Sequence, residues 1–183
     1  MNAAVRAEPA VPLWLEGARR FEDRVVTGMA YLCGVLFLLL AFYTTVDVFG
    51  RRYGGMFSGV IDEMSGYTLA FGASWALAYT LRTGGHVRVD IVFPHVSDAV
   101  RNLLDALAMA LMAVFASTVS VFLWKLVAAS YAIGATGHSI IQTPQWIPQT
   151  MMAIGYSVLS LVAVTGFLGH ALGAAQRFRQ RND

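Results

Sequence analysis

Four apolar stretches dominate this chain of 183 residues, and each is close to or above the length needed to cross a membrane. They cover residues 25–49, 64–81, 106–124 and 147–175. Crossing about 30 Å of hydrocarbon takes roughly 20 helical residues, whereas barrel strands alternate apolar and polar residues over about ten. The sequence therefore predicts an all-α integral membrane protein with four transmembrane helices.

The composition argues against most other classes of protein. Charged residues make up 13% of the chain, against about 25% in soluble domains, and apolar residues make up 57%. A soluble fold of this size has too little interior to bury that much apolar surface. The net charge of +2 without a dense basic stripe argues against a nucleic-acid partner. The single Cys33 excludes an intrachain disulfide and a thiol relay.

The distribution of Lys and Arg predicts the orientation. Ten of these residues fall in the N-terminal segment, the loop between the second and third spans, and the C-terminal tail, while three fall on the other side. Because basic residues collect on the cytoplasmic side, we expect both termini in the cytoplasm.

These patterns divide the chain into three parts. Residues 1–24 form an N-terminal cytoplasmic or interfacial segment, residues 25–175 form the membrane domain, and residues 176–183 form a basic cytoplasmic tail. We place the spans at about 25–49, 62–82, 100–130 and 147–172. Residues 13–25 have the amphipathic pattern of a short interfacial helix, and a disordered tail is the alternative.

Charged residues border the first outer loop. Asp47 and Arg51 are four residues apart and pair if the helix continues to Arg51. Asp62 and Glu63 open the second span, where acidic groups suit a helix N-terminus. We hypothesise that Glu63 pairs with Arg51 or Arg52 and that Asp47 shares the same arginine. The alternative is a set of separate charges at the membrane edge.

Two other loops have distinctive strings. In the inner loop His86, Arg88 and Asp90 alternate with apolar residues. We predict that they fix the loop to neighbouring helices or to a partner subunit by charge-assisted hydrogen bonds, an arrangement that we call a polar lock. One histidine, one aspartate and one arginine make a poor metal shell, so we expect no metal site there. Trp146 lies between two prolines at the start of the fourth span, either as an interface anchor or as a packing residue.

Few ionisable groups lie inside the predicted spans, although intramembrane transport or redox chemistry needs them. His170 is the only histidine within a span, which argues against a bis-histidine haem. We therefore expect no catalytic residue, cofactor or metal, and a subunit without its own chemistry. Two alternatives are a membrane anchor of a respiratory redox enzyme and a self-contained small transporter built around Asp47.

Several strings resemble the small membrane subunit of tripartite ATP-independent periplasmic (TRAP) transporters, the DctQ-like family. They are Val-Phe-Gly-Arg-Arg-Tyr at 48–53, Asp-Glu at 62–63, Gly-His-Val-Arg-Val-Asp at 85–90 and Pro-Gln-Trp-Ile-Pro at 144–148. The resemblance covers roughly residues 20–172, and the string at 85–90 is its most specific part.

The resemblance implies a function. Such transporters import organic acids by symport, driven by an ion gradient and not by ATP. A soluble periplasmic binding protein captures the substrate, and a large permease subunit carries it across the bilayer. The small subunit is then a scaffold beside the large subunit and helps to dock the binding protein, with no cofactor and no enzymatic activity.

Overall fold

The computed structural model describes residues 13–54, 60–83, 98–137 and 142–182. These residues form four α-helices, namely α1 (Leu13–Gly54), α2 (Ile61–Arg82), α3 (Asp98–Ala132) and α4 (Trp146–Asn182). The predicted all-helical architecture is confirmed. Three of the helices contain segments that are long and apolar enough to cross a membrane, and these are Glu16–Gly54, Leu103–Ala132 and Trp146–Gly169.

The helix predicted at residues 62–82 is present as α2, but it lacks a segment as long and apolar as those of the other three. Its 22 residues include charges in the first and last turns. Glycine, serine, threonine and tyrosine side chains also lower its mean hydropathy. The helix therefore falls outside the three membrane-crossing candidates.

α1 is a single helix of 42 residues, so the segment predicted as a separate interfacial helix continues directly into the first apolar stretch. No proline occurs between Leu13 and Gly54 to break it. At 1.5 Å per residue its length is about 63 Å, roughly twice the hydrocarbon thickness. Hydropathy marks where a helix suits lipid, and it does not mark where the helix begins.

α4 is the central element of the bundle. It packs most extensively on α3 and next on α2, while α1 packs mainly on α2 and to a smaller extent on α4. The main core cluster draws residues from all four helices: Val26, Ala78, Leu81, Ala116, Leu159, Val162 and Ala163. A second cluster of Met29, Cys33, Phe71 and Trp75 joins α1 to α2.

Small residues let α2 and α4 approach closely, as the abundance of glycine and alanine in the second span predicts. A β-carbon at Gly155 would lie 2.5 Å from Ser74 Oγ and 2.5 Å from Trp75 Cδ1. Trp75 Nε1 donates a hydrogen bond to the Met151 carbonyl at 2.8 Å. Trp75 is thus a buried packing residue, a role that periodicity alone does not separate from that of an interface anchor.

A ladder of hydroxyl groups joins α3 to α4. The Oγ atoms of Ser117 and Ser160 lie 2.6 Å apart, and those of Ser120 and Ser157 lie 2.8 Å apart. Trp124 Nε1 also donates to Ser157 Oγ at 3.1 Å. Such contacts between helices are suited to lipid, where apolar side chains alone give little drive to associate.

Candidate functional sites at the two ends of the bundle

A buried glutamate lies near the start of α1. Glu22 is only 1% exposed, and its Oε2 accepts a hydrogen bond from Thr165 Oγ1 of α4 at 3.0 Å. The structure gives its Oε1 no hydrogen-bond partner. A buried carboxylate is costly unless nearby groups compensate its charge, so the surrounding residues decide whether it is stable.

Two arginines surround this carboxylate. Arg82, the last residue of α2, donates from Nε and Nη2 to the two carboxylate oxygens of Asp23, with Nη2 3.0 Å from Oδ2. Arg82 Nη2 also donates to the Arg19 carbonyl at 3.2 Å. The Arg19 guanidinium lies against Gly169 of α4, where a β-carbon would be 3.2 Å from Cζ. A paired Asp23–Arg82 fork of this kind is the strong form of an ion pair.

We call Arg19, Glu22, Asp23, Arg82 and Thr165 the Glu22 cluster. It holds two positive and two negative groups, and its contacts join α1, α2 and α4. In the sequence, Arg19 and Arg82 served to predict the orientation of the chain, and Glu22 and Asp23 only as part of the polar face of residues 13–25. An available signal was that an acidic pair precedes the first apolar stretch while an arginine ends the second, because antiparallel helices bring those positions together.

The opposite end of the bundle contains the predicted charges of the first loop. α1 continues to Gly54, and Arg51 donates to Asp47 in an ion pair. The Asp47 side chain is 7% exposed, against 42% for Arg51. Arg52 and Asp62 are exposed. Basic groups end α1 and acidic groups open α2, so both sets match the helix dipoles.

The structure shows two contacts of Glu63. Its Oε1 accepts a hydrogen bond from Tyr67 OH at 2.6 Å, one turn along α2. Its carboxylate also lies against Gly137, between α3 and α4. The pairing of Glu63 with Arg51 or Arg52 stays a prediction.

The described residues between α3 and α4 pair in an antiparallel arrangement, and we call them the α3–α4 hairpin (residues 134–137 and 142–145). Gly134 follows α3 with a φ of 62°, the left-handed conformation that glycine adopts most readily. Gly137 N donates to the Thr143 carbonyl at 2.8 Å, and Gln145 N donates to the Ala135 carbonyl at 3.0 Å. Backbone hydrogen bonds therefore join the two sides of the hairpin.

Trp146 begins α4 immediately after this hairpin. Its ring packs edge-on against Tyr131 of α3, with the ring centroids 5.9 Å apart. It therefore has a packing contact at the helix junction. His86, Arg88 and Asp90 lie outside the described residues, so the lock proposed for the inner loop stays a prediction.

One face of α1 is lined by large apolar side chains that the rest of the chain leaves uncovered. Their exposed fractions are 59–82%, and they are Tyr31, Leu38, Phe42, Phe49 and Tyr53. Within the residues that the structure describes, no group of three or more His, Cys, Asp or Glu side chains is arranged to hold a metal ion.

Long apolar helices joined by interhelical polar contacts define a helical membrane protein. Comparison with protein families extends this assignment, since the family model for the DctQ component of tripartite ATP-independent periplasmic transporters matches residues 40–173. The chain belongs to this family and is thus a small subunit of a TRAP transporter, a transport component. Comparison with curated proteins and with solved structures gives no significant match.

Proposed function

We propose that this chain scaffolds the large permease subunit of a TRAP-type secondary transporter in the bacterial inner membrane. It also helps a periplasmic substrate-binding protein to dock, for ion-gradient-driven uptake of an organic acid. The observation that carries the proposal is the family match over residues 40–173, which includes most of the apolar helical sequence. The Glu22 cluster joins helices together, which suits a scaffold.

The exposed face of α1 is our proposed contact with the large subunit. Its apolar positions, 31, 38, 42, 49 and 53, are spaced alternately by seven and four residues, the spacing of a helix-packing seam. Four of the five side chains are aromatic, and aromatic residues are enriched in protein interfaces. A helix of the large subunit packed on this face would cover it.

Cross-linking tests this assignment of the face. A photo-reactive side chain at Leu38 or Phe42 of α1 should form a covalent adduct with the large subunit in the assembled complex. Leu111 and Phe122 of α3 are the matched controls, since they are similarly exposed and apolar. Adducts from the α3 positions and none from α1 would move the interface to the other side of the bundle.

We further propose that α2 crosses the membrane as the fourth span. Its 22 residues measure about 33 Å, enough for the hydrocarbon layer. It packs on both α1 and α4, which reduces its contact with lipid. With both termini in the cytoplasm, the end of the bundle that contains Glu63 faces the periplasm and the binding protein.

Reconstitution tests the function as a whole. Proteoliposomes containing the large subunit, this chain and the binding protein should take up an organic acid when an ion gradient is imposed. We expect uptake to be lost when this chain is omitted, and this chain alone to transport nothing. Uptake by the chain alone would favour a self-contained transporter, and a visible absorption band in the purified protein would favour a redox anchor.

A further inference from the structure

The contact between Glu63 and Gly137 joins two parts of the chain that are distant in sequence. A β-carbon at Gly137 would lie 2.5 Å from Glu63 Cδ and 2.8 Å from Oε2, and closer still to Oε1. The carboxylate therefore fills the space that a β-carbon of residue 137 would take. The α-hydrogen of Gly137 that points in that direction faces the carboxylate, which makes a weak Cα–H···O contact with it.

The need for glycine at position 137 arises from space and not from backbone conformation. Gly134, at the start of the hairpin, has a φ of +62°, but Gly137 does not have a left-handed φ. Any L side chain at Gly137 would occupy the volume that the carboxylate now fills. The glycine and the glutamate are thus complementary in shape.

The contact with Glu63 joins the α3–α4 hairpin to α2. The two described sides of the hairpin are joined by two backbone hydrogen bonds, which together form the antiparallel bridge between Thr136 and Pro144. A two-stranded hairpin is only marginally stable by itself. Its position relative to α2 therefore depends on the side chains that pack against it.

We infer that Glu63 is a positioning residue that holds the α3–α4 hairpin against α2. We call the contact of Glu63 with Gly137 the seat. Tyr67 OH donates to Oε1 and thereby orients the carboxylate towards Gly137. The seat joins the α1–α2 pair and the α3–α4 pair into one surface at this end of the bundle. Use of that surface by a binding protein rests on the proposed function, whereas the seat itself does not.

Hydrogen exchange of the full chain in lipid nanodiscs, followed by mass spectrometry, tests the seat. Glu63→Ala should accelerate exchange of the hairpin amides by about two- to fivefold, the effect expected from loss of one weak Cα–H···O contact. Gly137→Ala should do the same, because the new methyl group displaces a flexible side chain and not the backbone. Gly66→Ala is the matched control, since nothing lies within 4 Å of its added carbon.

A double variant separates a seat from two unrelated effects. If Glu63 acts through Gly137, the Glu63→Ala and Gly137→Ala double variant should exchange no faster than either single variant. Glu63→Gln should retain most of the protection, because the amide oxygen still accepts from Tyr67. Unchanged hairpin exchange in Glu63→Ala, additive acceleration in the double variant, or equal acceleration throughout α3 and α4 would each overturn the inference.

A binding measurement on the assembled transporter tests the use of the surface. Glu63→Ala should weaken the affinity of the binding protein for the complex by about two- to fivefold, and Glu63→Gln should restore most of it. A loosened hairpin with unchanged affinity would leave the seat standing and overturn its use in docking. Absence of any binding by the unaltered complex would instead contradict the proposed function.

Discussion

At the scale of single residues, Gly155 is a point of close contact between α4 and α2, and one methyl group should be enough to disturb the fit. Gly155→Ala places a carbon against Ser74 and Trp75, and we expect the free energy of unfolding to fall by about 1–3 kcal/mol. Denaturant-induced unfolding in detergent micelles measures the change.

Gly34→Ala is the control for this prediction, because nothing lies within 4 Å of an added carbon at that position. Alanine favours a helix by about 0.5–1 kcal/mol over glycine, so the control should be neutral or stabilising. Equal losses at Gly155 and Gly34 would show that helix contact is not the cause.

The hydroxyl of Thr165 should matter because of the charge that it contacts. Removing it with Thr165→Val leaves the Glu22 carboxylate buried with less compensation, at a cost of about 1–3 kcal/mol in unfolding free energy. The same substitution should cost about 1 kcal/mol less when Glu22→Gln is already present, because a neutral amide needs the hydroxyl less. Thermal unfolding of the four proteins in this cycle gives the coupling.

Thr118→Val provides the comparison, since its hydroxyl is exposed and donates only to the Val114 carbonyl of its own helix. A change within about 0.5 kcal/mol is expected there. Additive effects of Thr165→Val and Glu22→Gln would argue that the contact contributes no specific stability.

At the scale of elements, the pairing of α3 with α4 depends on a serine ladder in which Ser157 has the largest share. Ser157→Ala removes its contacts with Ser120 and Trp124, while Ser160→Ala removes only the contact with Ser117. At roughly 0.6 kcal/mol for each interhelical hydrogen bond, we expect about 1.2 and about 0.6 kcal/mol respectively. Chemical denaturation distinguishes this ranking from equal effects, which would contradict it.

The crossing of α2 is a second prediction about an element. A topology reporter inserted after Gly54 should read periplasmic, and reporters fused after Thr83 or Asp183 should read cytoplasmic. The excess of basic residues on one side gives this orientation. If reporters after Gly54 and Thr83 read the same compartment, α2 does not cross the membrane.

The sequence predicted the helices well because a long apolar run has few alternatives to a helix in lipid. It predicted the start of α3 at about residue 100 and of α4 at 147, and the helices begin at Asp98 and Trp146. It predicted a helix at residues 13–25 but not its continuity with the first span, because an amphipathic segment lacks the hydropathy that marks a span. It also missed the partner of Glu22, since Thr165 lies 143 residues away and nothing in its local sequence marks it.

At the scale of the whole molecule, three of the helices are much longer than the hydrocarbon layer is thick. α1, α3 and α4 have 42, 35 and 37 residues, or about 63, 52 and 55 Å, against a hydrocarbon layer of about 30 Å. Each therefore extends beyond the apolar layer or tilts strongly within it. Their ends are available for polar contacts, and the charged clusters lie near them.

The Glu22 cluster also sets an order of events during synthesis. Glu22 leaves the ribosome before its partners in α2 and α4 do. Its neighbour Asp23 gains Arg82 after 59 more residues, and Thr165 follows Glu22 by 143 residues. Until α4 is made, the Glu22 carboxylate needs contact with water. Its position just before the first apolar stretch allows that contact. Burial of Glu22 can thus be completed only when the last helix joins, so insertion of α4 is the step that closes the bundle.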